Sequence, residues 1–202
     1  MALTIDYYFA PQSPWTYMGH ERLAAMAARA GATLRVMPVD LGGQIFPVSG
    51  GLPLGQRPPQ RQAYRLTELA RWRDWLGLPL NIKPQHFPVP GDDAARLIIA
   101  VDRADGTAAA MRLTGALLSA VWAQERDIAS PETRTALLAE CGLQAQRAYE
   151  ARSDEVQTAY QSSTQQAIDV QVFGSPSYVI AGEIFWGQDR LDFVQRRLAQ
   201  AS

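Results

Sequence analysis

The 202-residue chain predicts an α/β fold in which a small sheet is split by a long helical block. Three observations predict it. Residues 3–9, Leu-Thr-Ile-Asp-Tyr-Tyr-Phe, are a β-branched and aromatic run, followed by Ser13-Pro14-Trp15-Thr16, a helical pattern and a second strand pattern at 33–39. Far downstream, Phe173-Gly174-Ser175-Pro176 precedes two short strand patterns and a last helix. Between these parts, residues 41–152 read as helices separated by Gly and Pro breaks, with no strand pattern.

The elements follow in order. The run 3–9 reads as a buried strand. Ser13 stands at a helix N-cap position, where a hydroxyl accepts from an orphan backbone N–H. Pro14 fits the first helical turn, where a missing N–H costs nothing. That helix runs to about Ala30 and Gly31 ends it. The strand at 33–39 should then lie parallel to the first and beside it, because a helical crossover joins them. Residues 41–56 are Gly- and Pro-rich and read as a loop. A helix from Pro58-Pro59 to about Leu76 places Tyr64, Leu69, Trp72 and Leu76 near helical spacing. Residues 79–91 contain four prolines and read as irregular. Asp92-Asp93 can cap a helix over 93–104, and Gly106 separates it from one over 107–124 with an apolar stripe. Ser130-Pro131 opens another helix that Gly142 closes, and a long one spans 153–169. Strands at 177–181 and 183–186 turn around Gly182, and Asp189 begins the last helix as its N-cap.

Composition narrows the function classes. Hydrophobic residues make up 47% of the chain and the formal net charge is −1, so no basic face for nucleic acid or an anionic membrane is expected. No apolar run approaches a membrane span, and the N-terminal residues lack the charged and apolar regions of a signal peptide. A single cysteine, Cys141, rules out an intramolecular disulfide and a cysteine-based zinc site. The expected compartment is the cytoplasm.

Without residues 41–152 the order is β-α-β and then α-β-β-α, that of a thioredoxin-like domain. The expected division is a thioredoxin-like domain of 1–40 and 153–202 and a helical insertion domain of 41–152. In redox members the first helix opens on Cys-x-x-Cys. Here Ser13 and Thr16 occupy the two thiol positions. Hydroxyls form no disulfide, so a thiol acting at this point comes from outside, which indicates bound glutathione. A free thiol has a pKa of about 8.5, and the positive end of a helix lowers it. The Ser13 hydroxyl can donate to such a thiolate without becoming the nucleophile itself. His20 lies seven residues on, roughly 10 Å along the helix axis, too far to form a serine-hydrolase pair. The plainer role of Ser13, capping alone, is the one Ser130 also fits. At Ser175-Pro176, a cis bond would expose the main-chain N–H and C=O of Ser175 to a tripeptide backbone added as a short strand. The plainer role of Pro176 is that of a strand-edge residue.

Three segments together carry a family resemblance: Ser13-Pro14-x-Thr16-Tyr17, Phe173-Gly174-Ser175-Pro176, and Phe185-Trp186-Gly187-Gln188-Asp189-Arg190-Leu191. The chain resembles the 2-hydroxychromene-2-carboxylate isomerases, relatives of the kappa-class glutathione transferases and, more distantly, of the DsbA-type disulfide oxidoreductases. The similarity covers essentially the whole chain, including Gly42-Gly43-Gln44-Ile45-Phe46. It implies a homodimer that binds glutathione. It further implies Ser13 beside the sulfur, Ser175 before a cis Pro176, and Gln188 and Asp189 at the γ-glutamyl end. Two departures stand out. Family isomerases commonly carry an asparagine where this chain has Gly51, after Ser49-Gly50, and a lysine where it has Arg61.

The implied activity is glutathione-dependent cis–trans isomerisation of an aromatic-degradation intermediate, an enone conjugated to a carboxylate. Reversible thiolate addition turns the double bond into a rotatable single bond. Arg61 is the candidate for the substrate carboxylate, and Trp15 for the wall of the substrate cavity. Conjugation of glutathione to another electrophile, or peroxide reduction, uses the same site. A non-catalytic binding module of the same fold is the remaining alternative.

Overall fold

The computed structural model describes residues 3–200. The outermost residues of the expected thioredoxin-like segments, 1–2 and 201–202, lie outside the described residues. The chain runs β1 (Thr4–Phe9), α1 (Pro14–Ala30), β2 (Thr33–Pro38), α2 (Phe46–Ser49), α3 (Pro59–Leu76), α4 (Asp92–Asp105), α5 (Thr107–Trp122), α6 (Pro131–Glu140), α7 (Arg147–Glu150), α8 (Asp154–Asp169), β3 (Ser177–Ile180), β4 (Glu183–Trp186) and α9 (Leu191–Ala199). The sheet order is β2-β1-β3-β4. β1 and β2 are parallel, as the crossover requires, and β3 and β4 add antiparallel.

Alternation along β1 builds two cores. Ile5, Tyr7 and Phe9 face α1 and the helical block, in one buried cluster with Met18, Leu23, Leu97, Leu117, Trp122 and Leu191. Tyr8 faces the other way, with Met37, Val39, Ile45, Ala167 and Val179. The first cluster is continuous from β1 through α4, α5 and α6, so the helical block shares its core with the sheet. Tyr7 stacks on Phe9 at 4.5 Å and on Tyr178 at 5.6 Å between ring centroids, which locks β1 to β3.

Capping follows the sequence at three helices. Ser13, Ser130 and Ser153 each accept from the backbone N–H three residues on. Gly31 takes a left-handed φ of 61° at the end of α1, where its lack of a Cβ removes the steric penalty.

Several expectations need correction. Residues 41–56 are not all loop. Leu41–Ile45 form a π-helical turn, followed by α2 and a 3₁₀ turn at Leu54–Gln56. Asp40 caps the first turn by accepting from Gly43 N–H at 2.7 Å, and fully buried Ile45 anchors it in the second core. Those two local contacts outweigh the glycine penalty. Asp92 and Asp93 do not cap α4. They lie in its first turn, where Asp92 accepts from Tyr160 Oη at 2.8 Å and Asp93 pairs with Arg96 and Arg134. Asp189 is no N-cap either. It sits inside a 3₁₀ turn, Gln188–Arg190, and α9 starts after it without a side-chain cap. On α3, Tyr64 is 59% exposed, and the inward positions belong to Arg65 and Leu69.

Candidate active site

Register places the site. Tyr8 pairs with Ser177 across β1 and β3, so the segment leaving β1 lies beside the segment entering β3. Thr16, three residues after Ser13 at the same helix mouth, thereby meets Ser175. The peptide between Ser175 and Pro176 is cis. Ser175 Oγ accepts from Ala10 N–H at 2.9 Å and lies 3.0 Å from Thr16 Oγ1, one hydroxyl donating to the other. Thr16 is fully buried and Ser175 nearly so. Its side chain therefore welds the two segments, a role additional to the main-chain role expected for it.

Ser13 is half-buried at the mouth of α1, and its Oγ accepts from Thr16 N–H at 3.3 Å. The hydroxyl hydrogen stays available for a further acceptor, since the cap uses only a lone pair. The positive end of α1 reinforces any negative charge held there. No acidic residue lies in the first turn of α1 to offset that potential.

The third segment joins through main chain. Gly187 N–H donates to Pro176 C=O at 2.9 Å, which sets Gln188 and Asp189 beside the cis-proline turn. Gln188 is buried, and its Oε1 accepts from Arg22 Nη1 at 2.8 Å, so part of that side chain already serves α1 packing. Asp189 is exposed and its Oδ2 accepts from Arg190 Nη1 at 2.7 Å. Trp186 lies over Gly174: a Cβ at Gly174 would overlap its indole, so any larger residue there would displace the ring. Phe173 meets the same indole edge-on, with ring centroids 4.8 Å apart.

The opposite wall comes from the helical block. Trp15 is half-buried against the main core. Tyr17 Oη donates to Pro79 C=O at 2.7 Å, tying α1 to the irregular segment. Trp122 Nε1 donates to Gln12 C=O at 3.2 Å, directly before Ser13. A polar cavity of about 190 Å³ adjoins this turn, lined by Gln12, Leu41, Gly43, Gly91 and Tyr160 among others. Arg61 is exposed on α3. Gly51 explains its own departure from the family pattern. A Cβ there would overlap the Phe46 ring, so an aromatic occupies the space where the asparagine side chain would begin.

His20 is excluded from acid–base work by its setting. It is 2% exposed, and burial lowers its pKa below the usual value. Its Nε2 donates to Met111 C=O at 2.9 Å, which leaves Nδ1 to accept from Tyr7 Oη at 3.3 Å. The neutral ring is thus fixed as one tautomer, spent on packing α1 against α5. Burial also raises the Tyr7 and Tyr178 hydroxyls, which stay protonated. Cys141 is half-buried at the end of α6 with its thiol raised by burial, the opposite of a reactive cysteine.

Sequence reasoning missed Arg65. The residue is 9% exposed, and its guanidinium stacks over Phe87 at 5.1 Å and Trp122 at 5.7 Å. The signal was available as arginines at positions 61 and 65, four residues apart on one face of α3, with Arg57 in the extended segment before it.

Comparison with known proteins supports the same architecture. Residues 4–199 match the DSBA-like thioredoxin domain family. The chain is 28% identical over 199 residues to a 2-hydroxychromene-2-carboxylate isomerase of Sphingobium xenophagum, covering 98% of this chain and 99% of that protein. It is 26% identical over 200 residues to a 2-hydroxychromene-2-carboxylate isomerase of Pseudomonas putida, covering 98% and 95%. Among solved structures, a 2-hydroxychromene-2-carboxylate isomerase superposes with a TM-score of 0.76 at 24% identity, covering 98% of this chain and 95% of that one. The cytosolic disulfide reductase DsbM of Pseudomonas aeruginosa, solved with GSH, superposes with a TM-score of 0.69 at 18% identity, covering 98% and 100%. With its mixed sheet, its cis-proline turn facing the mouth of α1 and a family match spanning nearly every residue, this chain belongs to the DSBA-like thioredoxin domain family.

Proposed function

We propose that the protein is an isomerase of the 2-hydroxychromene-2-carboxylate isomerase type that works with glutathione. The observation that carries this reading is Ser13: a half-buried hydroxyl at the mouth of α1, beside the cis-proline turn, in a site that has no thiol of its own. The full-length likeness to proteins named 2-hydroxychromene-2-carboxylate isomerase supplies the substrate class, a conjugated enone bearing a carboxylate.

The residues present fit glutathione. Thr16 is committed to Ser175, so the Ser13 hydroxyl is the donor left facing the position of the sulfur. Ser175 main chain would pair with the cysteinyl backbone, and Pro176 shapes that turn. The Gln188 amide and the Asp189 carboxylate would hold the γ-glutamyl end, the carboxylate facing an ammonium. When bound, glutathione supplies a thiolate that adds reversibly to the conjugated double bond and is not consumed. Ser13 and the α1 dipole favour the charged form of that sulfur. Trp15 and the helical block would shield the reacting atoms from water. Arg61, exposed on α3, would steer the carboxylate electrostatically at longer range.

We extend the reading to a cytoplasmic homodimer. The cytoplasmic reading rests on the glutathione supply of that compartment, and the homodimer on the family resemblance. Among the described residues no helix is long and apolar enough to cross a membrane.

The test is a spectrophotometric assay of 2-hydroxychromene-2-carboxylate with and without glutathione. A glutathione-dependent rate with no net loss of thiol supports the proposal, and a background rate from folded protein overturns the substrate. One observation favours a second reading, a kappa-like glutathione transferase or peroxidase. Phe46 occupies the ground of the family asparagine, so the electrophile side of the site differs. That reading predicts stoichiometric consumption of glutathione.

A further inference from the structure

Arg65 is a buried cation with no ion-pair partner among the described residues. Burial first, and then the neighbouring Arg57 charge, lowers its guanidinium to about 10, so it remains protonated at neutral pH. Phe87 and Trp122 cover its faces. Stacking satisfies the flat surface of a guanidinium but not its in-plane N–H groups, which need acceptors. Nη2 is buried and has no hydrogen-bond partner among the described residues. Every other buried arginine in this block is served: Arg134 meets Asp93 and the carbonyls of Ile128 and Ala129. The location ties Arg65 to the chemistry. Trp122, which stacks under it, also donates to the carbonyl of Gln12 next to Ser13.

We propose that Arg65 is the terminus of a carboxylate subsite on the helical-block side of the Ser13 cleft, receiving the carboxylate of a planar conjugated acid. A planar fork between two aromatic walls suits a planar monoanion, which it can hold through two parallel N–H bonds. A dianionic phosphate carries a larger hydration shell and needs more donors than one fork supplies. Arg61, one turn back on α3, and Arg57, in extended backbone just before that helix, add positive charge on the N-terminal side of Arg65. Arg61 then guides the acid and Arg65 holds it. The identity of the bound acid as the isomerase substrate rests on the function proposed above, whereas the subsite itself can be read without glutathione.

The experiment is calorimetry of the full-length protein with trans-cinnamate, with neutral cinnamamide and with inorganic phosphate. Wild type is expected to bind cinnamate at least tenfold more tightly than cinnamamide or phosphate. Arg65→Met should bind cinnamate and cinnamamide equally and melt no lower than wild type, since it removes an unpaired buried charge. Arg65→Lys, which keeps the charge and loses the fork, should retain only part of the discrimination. Equal affinity of wild type for the acid and the amide overturns the subsite, as does undiminished discrimination in Arg65→Met. Phosphate binding as tightly as cinnamate overturns the carboxylate assignment. If Arg65→Met does not fold, the wild-type melting temperature decides: cinnamate must raise it and cinnamamide must not. Glutathione is titrated separately. Heat from glutathione but none from cinnamate overturns the subsite alone, and the reverse overturns the glutathione reading alone.

Discussion

Thr16 Oγ1 and Ser175 Oγ lie 3.0 Å apart, and that contact joins the first turn of α1 to the residue before the cis-proline. In a redox relative the position of Thr16 would hold the second thiol. Here it holds a structural hydroxyl, which leaves Ser13 as the only side chain of the pair that faces outward for chemistry.

Ser175→Ala should therefore destabilise the fold rather than merely slow a reaction. It strips Ala10 N–H and Thr16 Oγ1 of a partner in a site that is 8% exposed. A loss of about 1–3 kcal/mol is expected, seen as a lower midpoint in urea with an unchanged slope. An unaltered midpoint would show that water or a shift of the turn replaces the lost hydroxyl.

Ser13→Ala removes both a cap and the proposed donor to sulfur. The cap bond to Thr16 N–H predicts a cost of about 1 kcal/mol. The donor predicts a fall in glutathione-dependent turnover on the order of 10²-fold. Ser13→Thr keeps a hydroxyl and should recover most of the stability. A Ser13→Ala enzyme that turns over as fast as wild type would leave Ser13 with capping alone.

His20 predicts the acid limb of stability. Its folded pKa is lowered by burial, below the unfolded value of about 6.5. The unfolded chain thus takes up the proton first as pH falls. Stability from the neutral ring is present above pH 6.5 or so and is lost as pH drops toward the folded value, with a slope of at most about 1.4 kcal/mol per pH unit. His20→Gln should flatten that part of the profile between pH 7 and 5 relative to wild type. Parallel profiles for the two proteins would contradict the burial of a neutral imidazole.

The sequence carried the parts that obey short-range rules. The strand run at 3–9, the Ser13 and Ser130 caps and the Gly31 terminator were legible because each depends on a few adjacent residues. The approach of the Ser13-Thr16 turn to Ser175 was legible only through the order of elements, since the Thr16–Ser175 contact spans 159 positions. The rest depended on tertiary partners. Asp189 looked like a helix cap and instead pairs with Arg190, because a 3₁₀ turn delays the helix to Leu191. Tyr64 fell on the apolar helical spacing and Arg65 did not, and burial reverses them because Phe87 and Trp122 give the guanidinium a stacking surface. Periodicity cannot register that exchange, since the two positions are adjacent.

Gly51→Asn tests whether Phe46 shapes the electrophile side. Its Cβ would overlap the ring, so Phe46 must move or the turn must open. Overpacking of this kind costs about 1–3 kcal/mol. In a chain of this size each kcal/mol lowers the melting temperature by about 2–4 °C. Phe46→Ala in the same protein should restore part of the loss, giving a measurable coupling between the two positions. Additive effects would show that the ring adjusts freely.

The most direct measurement is the thiolate absorbance of glutathione titrated with pH in the presence of excess protein. The account predicts saturable binding and a bound thiol that ionises below the free value of about 8.5, with the shift reduced in Ser13→Ala. Glutathione that binds with an unshifted thiol, or that does not bind to folded protein, would contradict it.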